Sequence, residues 1–341
     1  MHRFAIVAAL VLASGSALAR QESVPAVKIT PQGQPSEAPK AKPAAKPAIY
    51  DESADAKAAI AQALAHAKKE NRRVLIQWGA NWCGWCHLLH GTLRSDKALA
   101  KEMLYEYDLV LVDIGKWDKN MELAQEYGAD LKGTGVPYLT VLDASGKVLA
   151  NQETDSLEVK GDDGKSKMDA AGKPVGHDAA KVLAFLKKHE APRVQAGAVL
   201  KEAMDQAKAS DKRVFLHFGA PWCGYCKMLD AWLARPDIGP VFGKDYIEVK
   251  IDQDRMIGGL EMEATYGMPK DSGIPWFVII DPQSGSTLAN STGSKGNIGF
   301  PVEPGEIEHF MSMLEKTRKN LTPEQLDMLK ASLAKKAQPG H

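Results

Sequence analysis

The 341-residue chain has no surplus of charge in either direction: 43 Lys and Arg stand against 43 Asp and Glu. Nucleic-acid binding draws on a basic excess that displaces counterions from phosphates, so a dedicated polyanion binder is excluded and nucleic acid is not an expected partner. Cysteine is scarce as well. Four Cys in so long a chain fall far short of a disulfide-stapled scaffold, so these thiols are expected to be chemical rather than structural. Long apolar runs are missing beyond the first residues, and nothing later approaches the roughly 20 residues a membrane span needs. A soluble mature protein is the expectation.

What is present begins with a leader. His2 and Arg3 precede an apolar run from Phe4 to Leu12 and small residues ending in Ala17-Leu18-Ala19. This order has the form of a cleaved export signal over 1–19, with the mature chain starting near Arg20. Residues 20–49 carry six of the 19 Pro, several Ala and Lys and no aromatic. Such a composition cannot repay the entropy of ordering, and a disordered linker is expected.

The remainder repeats itself. With an offset of 140, ten of the 23 positions in 71–93 match those in 211–233, among them Arg73/Arg213, Gly79/Gly219, Trp82/Trp222, Cys83/Cys223, Gly84/Gly224 and Cys86/Cys226. Gly135-Val136-Pro137 is answered by Gly273-Ile274-Pro275, and Leu149-Ala150-Asn151 by Leu288-Ala289-Asn290. A period this long marks a duplicated domain, since solenoid repeats run about 20 to 50 residues. Domains are expected at 50–191 and 192–318, with a C-terminal helix and tail at 319–341.

Each copy reads alike. An Ala-rich amphipathic helix (Ala56 to Lys69; Ala198 to Ala209) leads into a buried apolar strand (Val74 to Trp78; Val214 to Phe218). A Cys pair opens the next helix. Further strands are expected at Leu109 to Asp113 and Tyr138 to Leu142, answered by Tyr246 to Ile251 and Trp276 to Ile280, before closing helices at Ala179 to His189 and Glu303 to Lys316. The Gly-, Asp- and Lys-rich stretch between Glu153 and His177, most of which the second copy lacks, is expected to be a mobile excursion. Thr322, Pro323 and Gln325 supply cap, first-turn Pro and capping-box partner for a last helix to about Lys336.

The chemistry lies in Trp82-Cys83-Gly84-Trp85-Cys86 and Trp222-Cys223-Gly224-Tyr225-Cys226. Residues three apart on a helix share a face at about 5–6 Å, the Cα separation a disulfide requires, so each pair can open and close with little backbone movement. The first Cys sits where unpaired N–H groups and the helix dipole favour a thiolate, so its pKa is expected to fall from about 8.5 toward 3.5–7.5. Cys83 and Cys223 are therefore the attacking sulfurs, and Cys86 and Cys226 resolve the mixed disulfide.

Both copies resemble domains of the thioredoxin superfamily, through the aromatic residue before the first Cys, the Cys-x-x-Cys after a strand and the later Gly-x-Pro. The resemblance spans essentially all of 50–318. It implies an α/β protein with two tandem thioredoxin-like folds, each a central mixed sheet flanked by helices. It also implies cis bonds at Pro137 and Pro275, substrate-facing backbone at Val136 and Ile274, and an aromatic platform of Trp82, Trp85, Trp222 and Tyr225. The bland alternative has Trp82 and Trp222 packing on the sheet. The family often buries a carboxylate six residues before the first Cys; here Gln77 and His217 stand there, and His217 is a candidate proton acceptor or simply a satisfied strand histidine.

Implied partners are proteins with disulfides or thiols and a membrane or soluble redox partner, with a periplasmic or otherwise secreted location. No prosthetic group or metal is required. The family has thiol–disulfide oxidoreductases of reductase, isomerase and oxidase type; the dipeptides Gly-Trp and Gly-Tyr tune potential without fixing direction, and reductase or isomerase is favoured. Three rivals remain. A chaperone-like clamp would hold unfolded clients with idle cysteines. Cys83-Gly84-Trp85-Cys86-His87 also spells a c-type haem attachment string, although Lys227 replaces the His in the second copy. Joint zinc binding by all four Cys, with His90 as an extra ligand, would need a site between domains.

Overall fold

A computed structural model describes residues 47–334, so the expected signal peptide at 1–19, nearly all of the 20–49 linker and the tail beyond Ala334 lie outside the described residues. The first domain runs α1 (Ala56–Glu70), β1 (Arg73–Gly79), α2 (Gly84–Ser95), α3 (Lys97–Glu106), β2 (Tyr107–Asp113), α4 (Met121–Glu126), α5 (Leu131–Thr134), β3 (Tyr138–Leu142), β4 (Val148–Glu153) and α6 (Ala179–Lys188). The second repeats the plan as α7 (Ala196–Ala209), β5 (Arg213–Gly219), α8 (Gly224–Leu233), α9 (Gly239–Phe242), β6 (Tyr246–Asp252), α10 (Gly259–Thr265), β7 (Trp276–Ile280) and β8 (Thr287–Asn290). A short ribbon, β9 (Thr292–Gly293) and β10 (Gly296–Asn297), then precedes α11 (Pro304–Thr317) and α12 (Pro323–Ala334).

Each domain has a four-stranded mixed sheet, ordered β2-β1-β3-β4 and β6-β5-β7-β8. The central strand pairs parallel with one neighbour and antiparallel with the other. Period-two alternation along β1 then decides what reaches each face. Val74, Ile76 and Trp78 join α1 in one apolar layer, while Leu75 points to the other layer with Leu89, Leu93, Val182 and Leu186. Gln77 and Gly79 share the face of Leu75, which brings them beneath the start of α2. In β5 the same alternation sends Val214, Leu216 and Phe218 toward α7 and Phe215 toward α8 and α11. His217 and Gly219 lie on that second face.

The expected last helix is present as α12, and its packing, which the sequence leaves open, is against the second domain: Leu321, Leu326, Leu329 and Leu333 are buried in that core, and Trp232 Nε1 donates to Ser332 Oγ at 2.9 Å. Its approach is fixed by the buried Asp245 carboxylate, which accepts the N–H groups of Lys319, Asn320 and Leu321 at 2.8, 2.7 and 3.0 Å. The second domain thus continues past 318 because its apolar face would otherwise lack a cover. The excursion after β4 is folded back on itself. Bridges pair Glu158 with His177, Lys160 with Ser166 and Met168 with Pro174, which satisfies backbone groups that a free loop would leave to water.

The domains meet through polar contacts. Arg255 of the second reaches Glu106 of the first, Lys250 reaches Glu70 at 2.8 Å, and Tyr105 Oη donates to Asp254 Oδ2 at 2.7 Å. Among the described residues no helix is long and apolar enough to cross a membrane.

Candidate active sites

Both Cys pairs stand at the junction of a central strand and the following helix. Cys83 is the N-cap of α2 and Cys223 that of α8, and each Sγ accepts the N–H of the second Cys, at 3.1 and 3.0 Å. An N-cap acceptor satisfies one of the unpaired helix donors, and a negative sulfur there gains further from the dipole. Each pair is closed as a disulfide with Cα atoms 5.3 Å apart. The first sulfurs retain slight exposure, whereas Cys86 and Cys226 are sealed beneath the helix.

The Val136–Pro137 and Ile274–Pro275 bonds are both cis. Their loops lie against the sulfurs, with Cys83 Sγ 3.5 Å from the Val136 carbonyl oxygen and Cys223 Sγ 3.4 Å from that of Ile274. Each loop is held from behind by a side chain that no sequence motif marks. Thr154 Oγ1 donates to the Pro137 carbonyl at 2.7 Å, and Asn297 Nδ2 donates to that of Pro275 at 2.9 Å. The two anchors are not matched positions of the repeat, since Gly293 answers Thr154, so matching the repeats cannot reveal them.

The aromatic residues divide. Trp82 and Trp222 do not pack on the sheet; they are 53% and 54% exposed, each tethered by its indole N–H. Trp82 donates to the Gly115 carbonyl at 2.6 Å and lies 6.1 Å from Trp117, while Trp222 donates to Asp254 Oδ2 at 2.9 Å. Tyr225 is also exposed. Trp85 instead leans on the excursion, its ring meeting His177 edge-on at 5.5 Å.

His177 is buried with no hydrogen-bond partner for either ring nitrogen, and burial drives its pKa down to about 4. The unfolded chain takes up this proton below about pH 6.5 while the folded one resists until about pH 4, so the stability tied to a neutral His177 is complete above 6.5 and is lost as pH falls through that window. The loss across the window is about 3 kcal/mol, since each tenfold weakening of proton affinity is worth about 1.4 kcal/mol. Urea unfolding at pH 7 and pH 4.5 should show a smaller acid loss for His177→Phe than for the natural chain; equal losses would refute the assignment.

Gln77 and His217 are both fully buried beneath their Cys pairs. His217 Nε2 lies 3.2 Å from Glu248 Oε1, and its Nδ1 has no partner. Burial works against the Glu248 carboxylate, yet His217, Lys69 and Lys250 outweigh it and hold its pKa below the ordinary value. His217, Asp230 and Glu248 offer ligand atoms within 4.8 Å of one another. The cation they already face is Lys250, whose Nζ is 2.7 Å from Asp230 Oδ2. Burial opposes its charge, but Asp230 and Glu70 raise its pKa.

His87 Nε2 donates to the Asn81 carbonyl at 2.9 Å, which ties the ring to the loop ahead of the cysteines rather than to an axial position. His90 lies further along α2 with its pKa lowered by burial.

Residues 60–154 match a family model described as a thioredoxin-like domain, and 195–282 match a second model described as thioredoxin-like. A curated relative, the disulfide bond reductase DsbH of Chlamydia pneumoniae, is 28% identical over 95 residues, covering 26% of this chain and 57% of that protein. The alignment thus spans little more than half of the relative's length. Among solved structures, a disulphide isomerase from Xylella fastidiosa Temecula1 is 28% identical, covering 41% of this chain and 95% of that one, with a TM-score of 0.33. A thioredoxin from Thermus thermophilus is 21% identical over 33% of this chain and 80% of its own, with a TM-score of 0.25. With two matched models laid over two sheets of one strand order, the chain belongs to the thioredoxin superfamily, as a tandem of two such domains.

Proposed function

We propose that the chain is an exported thiol–disulfide oxidoreductase acting on protein disulfides, as a reductase or isomerase, with one working pair in each domain. The observation that carries this reading is the twice-repeated juxtaposition of an N-cap sulfur, a sealed second sulfur and a cis-Pro loop. The names of the relatives from Chlamydia and Xylella agree with it, and the leader-like order of 1–19 supports export, foremost to a bacterial periplasm.

In the reducing direction, the Cys83 or Cys223 thiolate attacks one sulfur of a client disulfide. The client bond breaks, a mixed disulfide forms and the first client thiolate leaves. Cys86 or Cys226 then attacks the first Cys, releasing the second client thiolate and closing the domain's own disulfide. Two electrons have passed to the client, which takes up two protons. A dithiol partner, membrane-bound or soluble, must return the two electrons. Backbone at Val136 and Ile274 would pair with the client chain, and Trp82, Trp85, Trp222 and Tyr225 would supply apolar contact.

Equilibration with glutathione, one pair at a time in full-length variants whose other pair is Ser, tests the direction. Potentials below about −200 mV support reduction and potentials near −120 mV support oxidation. A pair that never exchanges with glutathione would sink the proposal.

A further inference from the structure

The strap that enters the first domain carries a phenol directly under its Cys pair. Asn81 Oδ1 accepts the N–H groups of Ile49 and Tyr50, both at 2.9 Å, and Asn81 Nδ2 donates to the Tyr50 carbonyl at 3.0 Å. So pinned, the Tyr50 ring is buried in one cluster with Cys83 and Cys86. Its hydroxyl and the Cys86 sulfur crowd the same spot: a Cβ on Gly79 would fall 2.4 Å from Tyr50 Oη and 2.5 Å from Cys86 Sγ. Only glycine leaves room for both.

The direction of the hydroxyl hydrogen follows from its neighbour. Gln77 Nε2 is 3.2 Å from the Cys86 carbonyl oxygen, a pure acceptor, so the amide must turn its NH2 this way. The same nitrogen is 2.7 Å from Tyr50 Oη and therefore donates to it. Tyr50's own hydrogen is therefore not committed to Gln77 and is free to turn toward the sulfur that flanks the same Gly79 position. Burial also pushes the phenol far above its ordinary range, only partly offset by Gln77, so it stays a neutral donor at any working pH.

We propose that Tyr50 donates a hydrogen bond to the Cys86 sulfur as it becomes a thiolate, and so promotes resolution of the mixed disulfide in the first domain. This deepens the oxidoreductase reading and rests on it. The Cys86 proton passes to the client thiolate expelled in the first exchange. The Cys86 thiolate, held by Tyr50, then attacks Cys83 Sγ, breaking the bond to the client and forming the intramolecular disulfide. The second domain lacks the device: Pro221 stands in place of Asn81 and cannot pin a strap, Glu190 stands at the position of Tyr50, and a Gly219 Cβ would meet Cys226 Sγ and the Lys250 stem but no phenol. There the buried His217 stands at the position of Gln77, with Glu248 beside it in place of a phenol.

The test is Tyr50→Phe in the full chain, which keeps the ring and removes only the donor. With Cys83, Cys223 and Cys226 replaced by Ser, the remaining Cys86 is titrated by its 13Cβ shift. Loss of one hydrogen bond to a charged sulfur should raise the midpoint by about one pH unit, a tenfold drop in thiolate. With Cys83 glutathionylated and the second pair replaced by Ser, release of glutathione below the midpoint should slow roughly threefold, because the rarer thiolate is also more nucleophilic. Asn81→Ala, which frees the strap, should shift both readouts the same way. An unmoved midpoint and an unmoved release rate in Tyr50→Phe would overturn the proposal. Neither readout needs a client, so an inert chain with shifted values would refute the oxidoreductase reading and leave this assignment standing.

Discussion

Insulin reduction should fall to the uncatalysed rate when Cys83 and Cys223 are both replaced by Ser, a loss on the order of a thousandfold or more for removal of a nucleophile. The reason is ionisation. Exchange requires a thiolate, and the single N–H at 3.1 or 3.0 Å that each first sulfur accepts can favour a sulfur anion but cannot ionise a hydroxyl near neutral pH. Either single variant should keep the activity of the untouched domain, because each domain holds a complete site. Cys86→Ala and Cys226→Ala should behave differently: they leave the attacking sulfur but remove the resolving one, so clients should accumulate as mixed disulfides visible on a non-reducing gel. A chaperone-like clamp makes the opposite forecast, since the exposed Trp82, Trp222 and Tyr225 survive all of these changes. If the double Ser variant still turns over insulin, or if it loses client holding along with turnover, the assignment of chemistry to the sulfurs fails.

The duplicated fold is legible because its signals are local. Continuous apolar runs place β1, β3, β5 and β7 nearly to the residue, and Cys-x-x-Cys after a strand locates both helix starts. The strands at the sheet edge are harder: β2 begins at Tyr107 rather than Leu109, and α3 is not among the expected elements. That helix follows α2 with a single residue between, Asp96, whose carboxylate accepts the N–H groups of Ala98 and Leu99. Periodicity cannot separate two helices divided by one capping residue.

What stays hidden at the site is what depends on distant chain. Tyr50 lies at the end of a Pro-rich stretch, and only the pin from Asn81, some thirty residues away, brings it under Cys86. The exchange of Asn81 for Pro221 inside an otherwise matching repeat is the available signal. Asn297 and His177 come from segments with no counterpart in the other copy, Thr154 has Gly293 at its matched position, and Glu248 reaches His217 only through the parallel register of β5 and β6.

Arg255→Ala should destabilise the chain by about 3–5 kcal/mol in urea unfolding, the range for stripping one partner from a buried ion pair. The guanidinium is 7% exposed and makes a two-pronged contact with Glu106, Nε to Oε1 at 3.0 Å and Nη2 to Oε2 at 2.7 Å. Its remaining donors reach the carbonyls of Glu70 and Asn71 at 2.9 Å, where α1 ends and its dipole favours a cation. No other side chain offers five donors in a planar fork, so Arg255→Lys should recover little. Removing both charges is another matter. Arg255→Met with Glu106→Leu deletes the desolvation cost along with the attraction and should return most of the lost stability, though the α1 carbonyls stay uncapped. The consequence extends to the second Cys pair, because Asp252 Oδ1 accepts the N–H groups of both Arg255 and Asp254, and Asp254 holds the Trp222 indole and the Tyr105 hydroxyl of the first domain. Loosening this loop should therefore change client turnover at Cys223 while sparing Cys83, measured in full-length chains with one pair at a time replaced by Ser. A loss of under about 1 kcal/mol on Arg255→Ala would mean that the pair is as weak as an exposed one, and that the two domains are joined by something other than this contact.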